Sequence, residues 1–187
     1  MSTTQPPRVI PNVDACIDCG ACNVACKEEW DLPAHEDRIQ VVTHNEGRGG
    51  GRFSRGETSV PLMCYHCADA PCMSVCPTGA IYRDEHGYVQ VEGDECIGCT
   101  YCSWACPFGA PQFPNETNES GGAGRMDKCT ACVERYEDGE EPACVEQCAT
   151  DALVYGTPSE IASYFRENRS AEMFHDNISD VVFGGKL

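Results

Sequence analysis

Residues 94–107 read Asp94-Glu-Cys96-Ile-Gly-Cys99-Thr-Tyr-Cys102-Ser-Trp-Ala-Cys106-Pro107. The four cysteines follow the spacing Cys-x2-Cys-x2-Cys-x3-Cys. Two residues between cysteines let successive thiolates converge on one centre, whereas a disulfide framework spreads its cysteines to join distant segments. The spacing therefore predicts binding of a metal or cluster rather than disulfide bonds.

The rest of the chain repeats this pattern. Sixteen of its 187 residues are cysteines. They form four groups of four, numbered here in chain order: Cys16, Cys19, Cys22 and Cys26; Cys64, Cys67, Cys72 and Cys76; Cys96, Cys99, Cys102 and Cys106; and Cys129, Cys132, Cys144 and Cys148. Residues 14–26 align without gaps on residues 94–106, and residues 71–81 match residues 143–153. The chain is thus two copies of a unit with two cysteine groups.

The spacing favours iron–sulfur clusters over zinc. Bacterial ferredoxins use Cys-x2-Cys-x2-Cys-x3-Cys, and the fourth cysteine binds a second cluster. Zinc ribbons instead present two Cys-x2-Cys pairs that are far apart. The pattern predicts four [4Fe–4S] clusters, with all sixteen cysteines as ligands.

Five other residues near the cysteines are candidates for a role at the clusters. We expect His66, between Cys64 and Cys67, to neighbour a cluster rather than bind it. Trp30 and Trp104 are expected to shield clusters from water. Lys27 and Lys128 directly adjoin cysteines, where a positive charge would raise a reduction potential; the alternative is that both are ordinary surface residues.

Composition excludes several functions. The chain has 30 Asp and Glu against 13 Lys and Arg, which gives a formal net charge of −17. Such a charge argues against binding nucleic acid or an anionic membrane. It fits solubility or a high-salt environment, or alternatively a surface complementary to a positive redox partner. The sequence shows no apolar run of the roughly 20 residues that cross a bilayer and no secretory leader, so neither a membrane span nor self-export is expected.

We expect an α+β fold of tandem bacterial-ferredoxin-like modules, in which small β-hairpins and short helices surround four clusters. Residues 80–83 and 88–91 predict a hairpin, residues 152–155 a matching strand, and Thr157-Pro-Ser-Glu160 the capped start of a helix. The expected divisions are an N-terminal arm (1–12), a double ferredoxin-like domain (13–156) with surface-loop insertions (31–62 and 111–125), and a C-terminal helix and tail (157–187). The glycine run at 46–52 and the sequons at Asn115 and Asn118 are interpreted as loop, and the tail at 180–187 as a candidate extended arm.

Four motifs carry a family resemblance: Cys76-Pro-Thr-Gly-Ala, Cys96-Ile-Gly-Cys, Cys106-Pro-Phe-Gly-Ala-Pro-Gln-Phe113 and Lys128-Cys-Thr-Ala-Cys. With them, residues 13–155 resemble the four-cluster electron-transfer (beta) subunits of molybdopterin oxidoreductases, most of all those of dimethyl sulfoxide reductase. Formate dehydrogenase, polysulfide or thiosulfate reductase and tetrathionate reductase have similar subunits. The resemblance implies a non-catalytic relay of single electrons.

The resemblance also implies how the ligands pair and which partners bind. The implied sets, starting nearest the catalytic subunit, are Cys16, Cys19, Cys22 and Cys148; Cys26, Cys129, Cys132 and Cys144; Cys64, Cys67, Cys72 and Cys106; and Cys76, Cys96, Cys99 and Cys102. The implied partners are a molybdenum or tungsten pterin catalytic subunit and either a membrane-anchor, quinone-reactive subunit or a soluble carrier. The chain is expected to be cytoplasmic, or membrane-associated through a partner and exported with a catalytic subunit that bears a twin-arginine signal.

Three alternatives stay open at this point. A stand-alone polyferredoxin would hold the same clusters without an obligate partner. A relay subunit of an aldehyde oxidoreductase or hydrogenase complex would share the cysteines but serve a different enzyme. A zinc-stabilised interaction module would be colourless and redox-silent.

Overall fold

The computed structural model describes residues 5–44, 58–115 and 123–175. Within these ranges the strands are β1 (Arg8–Pro11), β2 (Ile39–His44), β3 (Thr58–Met63), β4 (Ile81–Arg83), β5 (Val89–Val91) and β6 (Leu153–Gly156). The helices are α1 (Ala21–Glu29), α2 (Pro71–Ser74), α3 (Tyr101–Ala105), α4 (Val133–Glu137), α5 (Ala143–Glu146) and α6 (Pro158–His175), with a 3₁₀ turn at Gly93–Glu95. This confirms a small α+β fold of short elements.

The hairpin predicted between the second and third cysteine groups is confirmed. Strands β4 and β5 pair antiparallel, with Ile81 opposite Val91. The turn closes because the Asp84 carboxylate accepts a hydrogen bond from the Tyr88 amide at 2.8 Å. Ile81 and Val89 are buried, so the hairpin supplies one apolar face of the second module.

The expected N-terminal arm contains a strand. Strand β1 pairs antiparallel with β6, with Val9 opposite Tyr155. The internal repeat explains this pairing, because its offset of 80 residues aligns Val9 with Val89 of β5. The hairpin of one module thus recurs in the other as two strands from opposite parts of the chain.

The first expected loop insertion (31–62) contains two paired strands in its described part, so the expectation of a loop is wrong there. Strands β2 and β3 pair antiparallel, and Ile39 lies opposite Met63. Both side chains are buried. The Asn23 side chain of α1 donates to the Ile39 carbonyl at 2.6 Å, which fixes the hairpin to the first cysteine group. The glycine run at 46–52 lies outside the described residues.

The second expected loop insertion (111–125) is held at one end by backbone pairing. Gln112 and Asp127 form an antiparallel bridge, with both backbone hydrogen bonds at 2.8 Å. Asn115 is exposed, while Asn118 lies outside the described residues.

The capped helix after the fourth group is confirmed and extends to His175. The Glu160 carboxylate accepts from the Thr157 amide at 2.7 Å, and the Thr157 hydroxyl accepts from the Glu160 amide at 3.5 Å. These two bonds form a capping box. The Asn12 side chain donates to the Tyr164 hydroxyl at 3.4 Å, which docks α6 near the β1–β6 sheet. The tail at 180–187 lies outside the described residues.

Cysteines form part of both apolar cores. One core combines Leu32, Ile39, Met63 and Leu153 with Cys22, Cys26 and Cys144; the other combines Ala70, Ile81, Val89 and Met126 with Cys102. Since these cores are small, metal binding must contribute much of the folding free energy. Over the described ranges, no helix is both long and apolar enough to cross a membrane.

Candidate metal centres

The fold brings cysteines from distant groups to common cavities. One cavity of about 310 Å³ is lined by Cys76 of the second group and by Cys96, Cys99 and Cys102 of the third. Ile81, Phe113 and Met126 complete its apolar wall. A second cavity, of about 390 Å³, is lined by Cys26 of the first group and by Cys129, Cys132 and Cys144 of the fourth.

The remaining eight cysteines lie in two further sets. Burial, together with the charges of the neighbouring thiols Cys148, Cys16 and Cys19, raises the pKa of Cys22 to about 11. Burial likewise raises the pKa of Cys67 and Cys72, and both also respond to Cys64 and Cys106. Such charge effects weaken with distance, so the thiols within each of these two groups lie near one another.

Every cysteine group contains a residue in the left-handed region of backbone conformation. The residue that precedes the second cysteine has a positive φ in all four groups: Asp18 (58°), His66 (46°), Gly98 (68°) and Ala131 (63°). Residues with a side chain rarely adopt this conformation, which costs roughly 1–2 kcal/mol. Its recurrence indicates that the Cys-x2-Cys loop needs it to turn both thiols toward one centre.

Backbone amides point at the sulfur atoms. The Met126 amide donates to Cys96 Sγ at 3.3 Å, the Ala131 amide to Cys129 Sγ at 3.4 Å and the Ala152 amide to Cys148 Sγ at 3.2 Å. Such donors stabilise thiolate rather than thiol, and they are among the factors that set iron–sulfur potentials.

The chemistry of these sites fits [4Fe–4S] clusters. All sixteen cysteines are free, so no disulfide competes for them. Burial raises the pKa of Cys129 to about 12, so without a metal its thiol would keep its proton at neutral pH. A coordinated metal removes that proton outright. The four sets of four thiols, with amide donors around them, suit four cubane clusters.

Of the two tryptophans that were expected to shield clusters from water, one lies where that role is possible and the other does not. Trp30 is partly buried beside the second cavity, and its side chain opposes the rise that burial causes in the pKa of Cys132. Trp104 is 90% exposed. It therefore does not shield a cluster in this chain, because its side chain projects away from the body.

The histidine and the two lysines next to cysteines have distinct surroundings. His66 is buried; its Nδ1 accepts from the Val89 amide at 3.1 Å, and its Nε2 has no hydrogen-bond partner among the described residues. Lys27 is partly exposed and pairs with Asp37 at 2.8 Å. Lys128 is only 3% exposed. No pattern in the sequence indicated that these two lysines differ in burial.

Comparison with known proteins agrees with this chemistry. A family model described as a 4Fe-4S dicluster domain matches residues 57–158, and a second model with the same description matches residues 15–80. The formate dehydrogenase iron-sulfur subunit of Wolinella succinogenes is 42% identical over 169 residues, which cover 81% of this chain and 82% of that subunit.

Two further relatives are also named as parts of oxidoreductases. The thiosulfate reductase electron transfer subunit of Salmonella typhi is 45% identical over 75% of this chain and 70% of its own length. The B subunit of the anaerobic dimethyl sulfoxide reductase of Escherichia coli is 38% identical over 78% of this chain and 71% of its own length.

The chain belongs to the iron–sulfur beta subunits of molybdopterin oxidoreductases. As such a beta subunit, it is an electron-transfer protein that carries four [4Fe–4S] clusters. The resemblance drawn from the cysteine motifs is therefore confirmed at the level of the family.

Proposed function

We propose that the chain relays single electrons through its four clusters between a molybdenum or tungsten pterin catalytic subunit and a quinone-linked membrane subunit or soluble carrier. The clusters supply the redox chemistry, and the polypeptide supplies ligands, spacing and a dry path. The proposed ligand sets are Cys16, Cys19, Cys22 and Cys148 (cluster 1); Cys26, Cys129, Cys132 and Cys144 (cluster 2); Cys64, Cys67, Cys72 and Cys106 (cluster 3); and Cys76, Cys96, Cys99 and Cys102 (cluster 4).

The proximity of neighbouring sets supports the order from cluster 1 to cluster 4. Burial raises the pKa of Cys144, in set 2, well above its ordinary value, and the charge of Cys22, in set 1, raises it further, which supports contact between sets 1 and 2. Cys64 acts in the same way on Cys129, so sets 2 and 3 adjoin. Sets 3 and 4 adjoin along the chain, since Cys72 of set 3 lies in α2 (Pro71–Ser74) and Cys76 of set 4 follows the end of that helix by two residues.

The observation that supports the proposal most is a pair of exposed apolar side chains beside proposed cluster 1 and an equivalent pair beside proposed cluster 4. Beside cluster 1, Ile17 is 64% and Val24 54% exposed. Their counterparts in the internal repeat beside cluster 4 are Ile97, 67% exposed, and Trp104, 90% exposed. Exposed apolar patches of this kind mark protein contacts. A relay needs such a contact at both ends, whereas a protein that only stores electrons needs neither.

Each end has a proposed occupant. The pterin catalytic subunit covers the face of Ile17 and Val24, next to cluster 1. The membrane subunit or soluble carrier covers the face of Ile97 and Trp104, next to cluster 4. The assembly is cytoplasmic, or it is held at a membrane by a partner and exported with a catalytic subunit that carries a twin-arginine signal.

The repeat provides a matched pair of test variants. A tagged chain is purified anaerobically from its own host as the wild type, as Val24→Asp and as Trp104→Asp. The proposal expects molybdenum or tungsten with the wild type and with Trp104→Asp. It expects loss of that metal, with iron retained, in Val24→Asp, because a carboxylate would be buried in the contact.

Two results would contradict the proposal. Absence of both molybdenum and tungsten from the intact wild-type preparation would favour a stand-alone ferredoxin or a different partner enzyme. Loss of the pterin metal in Trp104→Asp but not in Val24→Asp would reverse the assignment of the two ends.

A further inference from the structure

Lys128 is a buried cation that has no carboxylate partner among the described residues. Its ammonium group donates hydrogen bonds to the Val89 carbonyl and, at 2.9 Å, to the Cys129 carbonyl. Within the described part of the chain, no carboxylate oxygen lies within ion-pairing distance of Lys128 Nζ. Burial of a charge without a counter-charge is costly, so a negative group other than the carboxylates of the described residues must offset it.

The surroundings of Lys128 locate that negative group. Burial raises the pKa of the Cys72 thiol, and the charge of Lys128 opposes this shift. Burial also raises the pKa of Cys129, and again Lys128 opposes it. Geometry gives the same location: the ammonium group donates to the carbonyl of Cys129, in proposed set 2, and to the carbonyl of Val89, whose amide donates to His66 between Cys64 and Cys67 of proposed set 3. The ammonium group therefore lies where these two sets meet.

The histidine at the same place adds no competing charge. His66 accepts the Val89 amide hydrogen at Nδ1, so the neutral ring carries its proton on Nε2. Val89 is therefore held on both sides, by His66 at its amide and by Lys128 at its carbonyl. Of these two side chains, only Lys128 brings a positive charge to the junction.

We propose that the buried charge of Lys128 raises the reduction potentials of clusters 2 and 3 relative to those of clusters 1 and 4. The inference rests on the proposed ligand sets. A cluster with four thiolate ligands is anionic, and reduction adds another negative charge. A cation in a medium of low dielectric constant therefore stabilises the reduced form more than it would in water. An electron that enters at cluster 1 or cluster 4 would therefore have a lower free energy on clusters 2 and 3.

Lys27 offers a matched control. It also adjoins a cysteine, Cys26, but its ammonium group pairs with Asp37 and is partly exposed. Its charge is thus already compensated and screened. Removal of the Lys27 charge should change no cluster potential by a comparable amount.

The test is a redox titration followed by electron paramagnetic resonance on the full chain purified with its partners. Signals are assigned to clusters through Cys148→Ser, Cys26→Ser, Cys72→Ser and Cys76→Ser variants. In Lys128→Met we expect the equilibrium constant for reduction of clusters 2 and 3 to fall at least tenfold, which is 59 mV for one electron. In Lys27→Met we expect less than a threefold change in any cluster.

Retention of charge distinguishes electrostatics from packing. Lys128→Arg should keep the equilibrium constants for reduction of clusters 2 and 3 within threefold of the wild-type values. This variant provides the test of the inference if Lys128→Met fails to retain its iron. A tenfold fall in Lys128→Arg, or unchanged inner potentials in an iron-replete Lys128→Met, would overturn the inference. Neither result would affect the pterin-metal test of the proposed function, which is read independently.

Discussion

Arg38 and Asp127 form a buried ion pair that joins parts of the chain 89 residues apart, with Nε and Oδ2 separated by 2.9 Å. Arg38 precedes β2, and Asp127 directly precedes Lys128 and the fourth cysteine group. The Arg38 guanidinium also lies over the Trp30 ring, 5.2 Å from its centroid. This pair therefore fixes the β2–β3 hairpin against the second cavity.

Removal of one partner of this pair should destabilise the protein strongly. In Asp127→Asn, the buried Arg38 guanidinium loses the Asp127 charge, which we expect to cost about 3–5 kcal/mol of the free energy of unfolding. Anaerobic calorimetry of the iron-replete chain measures the effect as a lower transition temperature. The control is Asp94→Asn, because Asp94 is 92% exposed in its pair with Arg125. Equal shifts in the two variants would contradict a structural role for the buried pair.

Gly98 should not tolerate even a methyl group. Its φ is +68°, and an added Cβ would lie 2.5 Å from the Gly124 carbonyl oxygen. We expect Gly98→Ala to disturb the Cys96–Cys99 loop and to lose about a quarter of the iron, the share of one cluster. Gly20→Ala is the control, since Gly20 has a similar φ of +71° but no atom within 4 Å of the added Cβ. Iron analysis that finds the full complement in Gly98→Ala would show this prediction to be wrong.

The capping box should govern the start of α6 without affecting the clusters. Thr157→Ala removes a hydroxyl cap, which typically costs about 1 kcal/mol of helix stability. Hydrogen exchange should accelerate in the first turn of α6 while the iron content stays unchanged. Acceleration spread equally over β1 and β6 would instead mean that the cap supports the whole sheet.

The same cap should depend on pH. Hydrogen bonds from the Thr157 side chain and amide lower the pKa of Glu160 below its ordinary value of 4.5. A lowered pKa means that the stabilisation is complete above the ordinary glutamate range and disappears as the pH falls through the lowered value. Exchange in the first turn of α6 should therefore rise at acid pH in the wild type but show little pH dependence in Glu160→Gln. A matching rise in Glu160→Gln would assign the effect to another group.

Cysteine variants test the proposed pairing directly. Cys148→Ser should remove the same paramagnetic signal as Cys22→Ser, because both cysteines belong to proposed cluster 1. Cys129→Ser should remove the same signal as Cys26→Ser. If the signal lost in Cys148→Ser is the one lost in Cys129→Ser, the exchange of ligands between the first and fourth groups is wrong.

The sequence predicted the parts of the fold that depend on short spacings. The Cys-x2-Cys-x2-Cys-x3-Cys runs, the hairpin around Asp84 and the capping box at Thr157 are all local patterns, and the structure contains the hairpin and the cap where they were expected. Strand β1 was missed although the repeat could have located it. Extending the 80-residue offset upstream aligns residues 8–14 with residues 88–94, which include β5.

Other features required long-range packing that no spacing encodes. The glycine-rich composition of residues 31–62 obscured the β2–β3 pairing, whose buried ends Ile39 and Met63 belong to the core around the first and fourth groups. Lys27 and Lys128 both adjoin a cysteine, yet only the fold shows that Lys128 is enclosed. Trp104 is exposed because α3 presents it outward, and its sequence neighbours do not reveal that direction.

The relay between a pterin site and a carrier is tested by the metal content of the intact complex, purified anaerobically under mild conditions from its own host. We predict about sixteen iron atoms and sixteen acid-labile sulfides per chain, as four [4Fe–4S] clusters require, together with one molybdenum or tungsten. Zinc in place of iron, or iron for fewer than four clusters in freshly prepared protein, would contradict it.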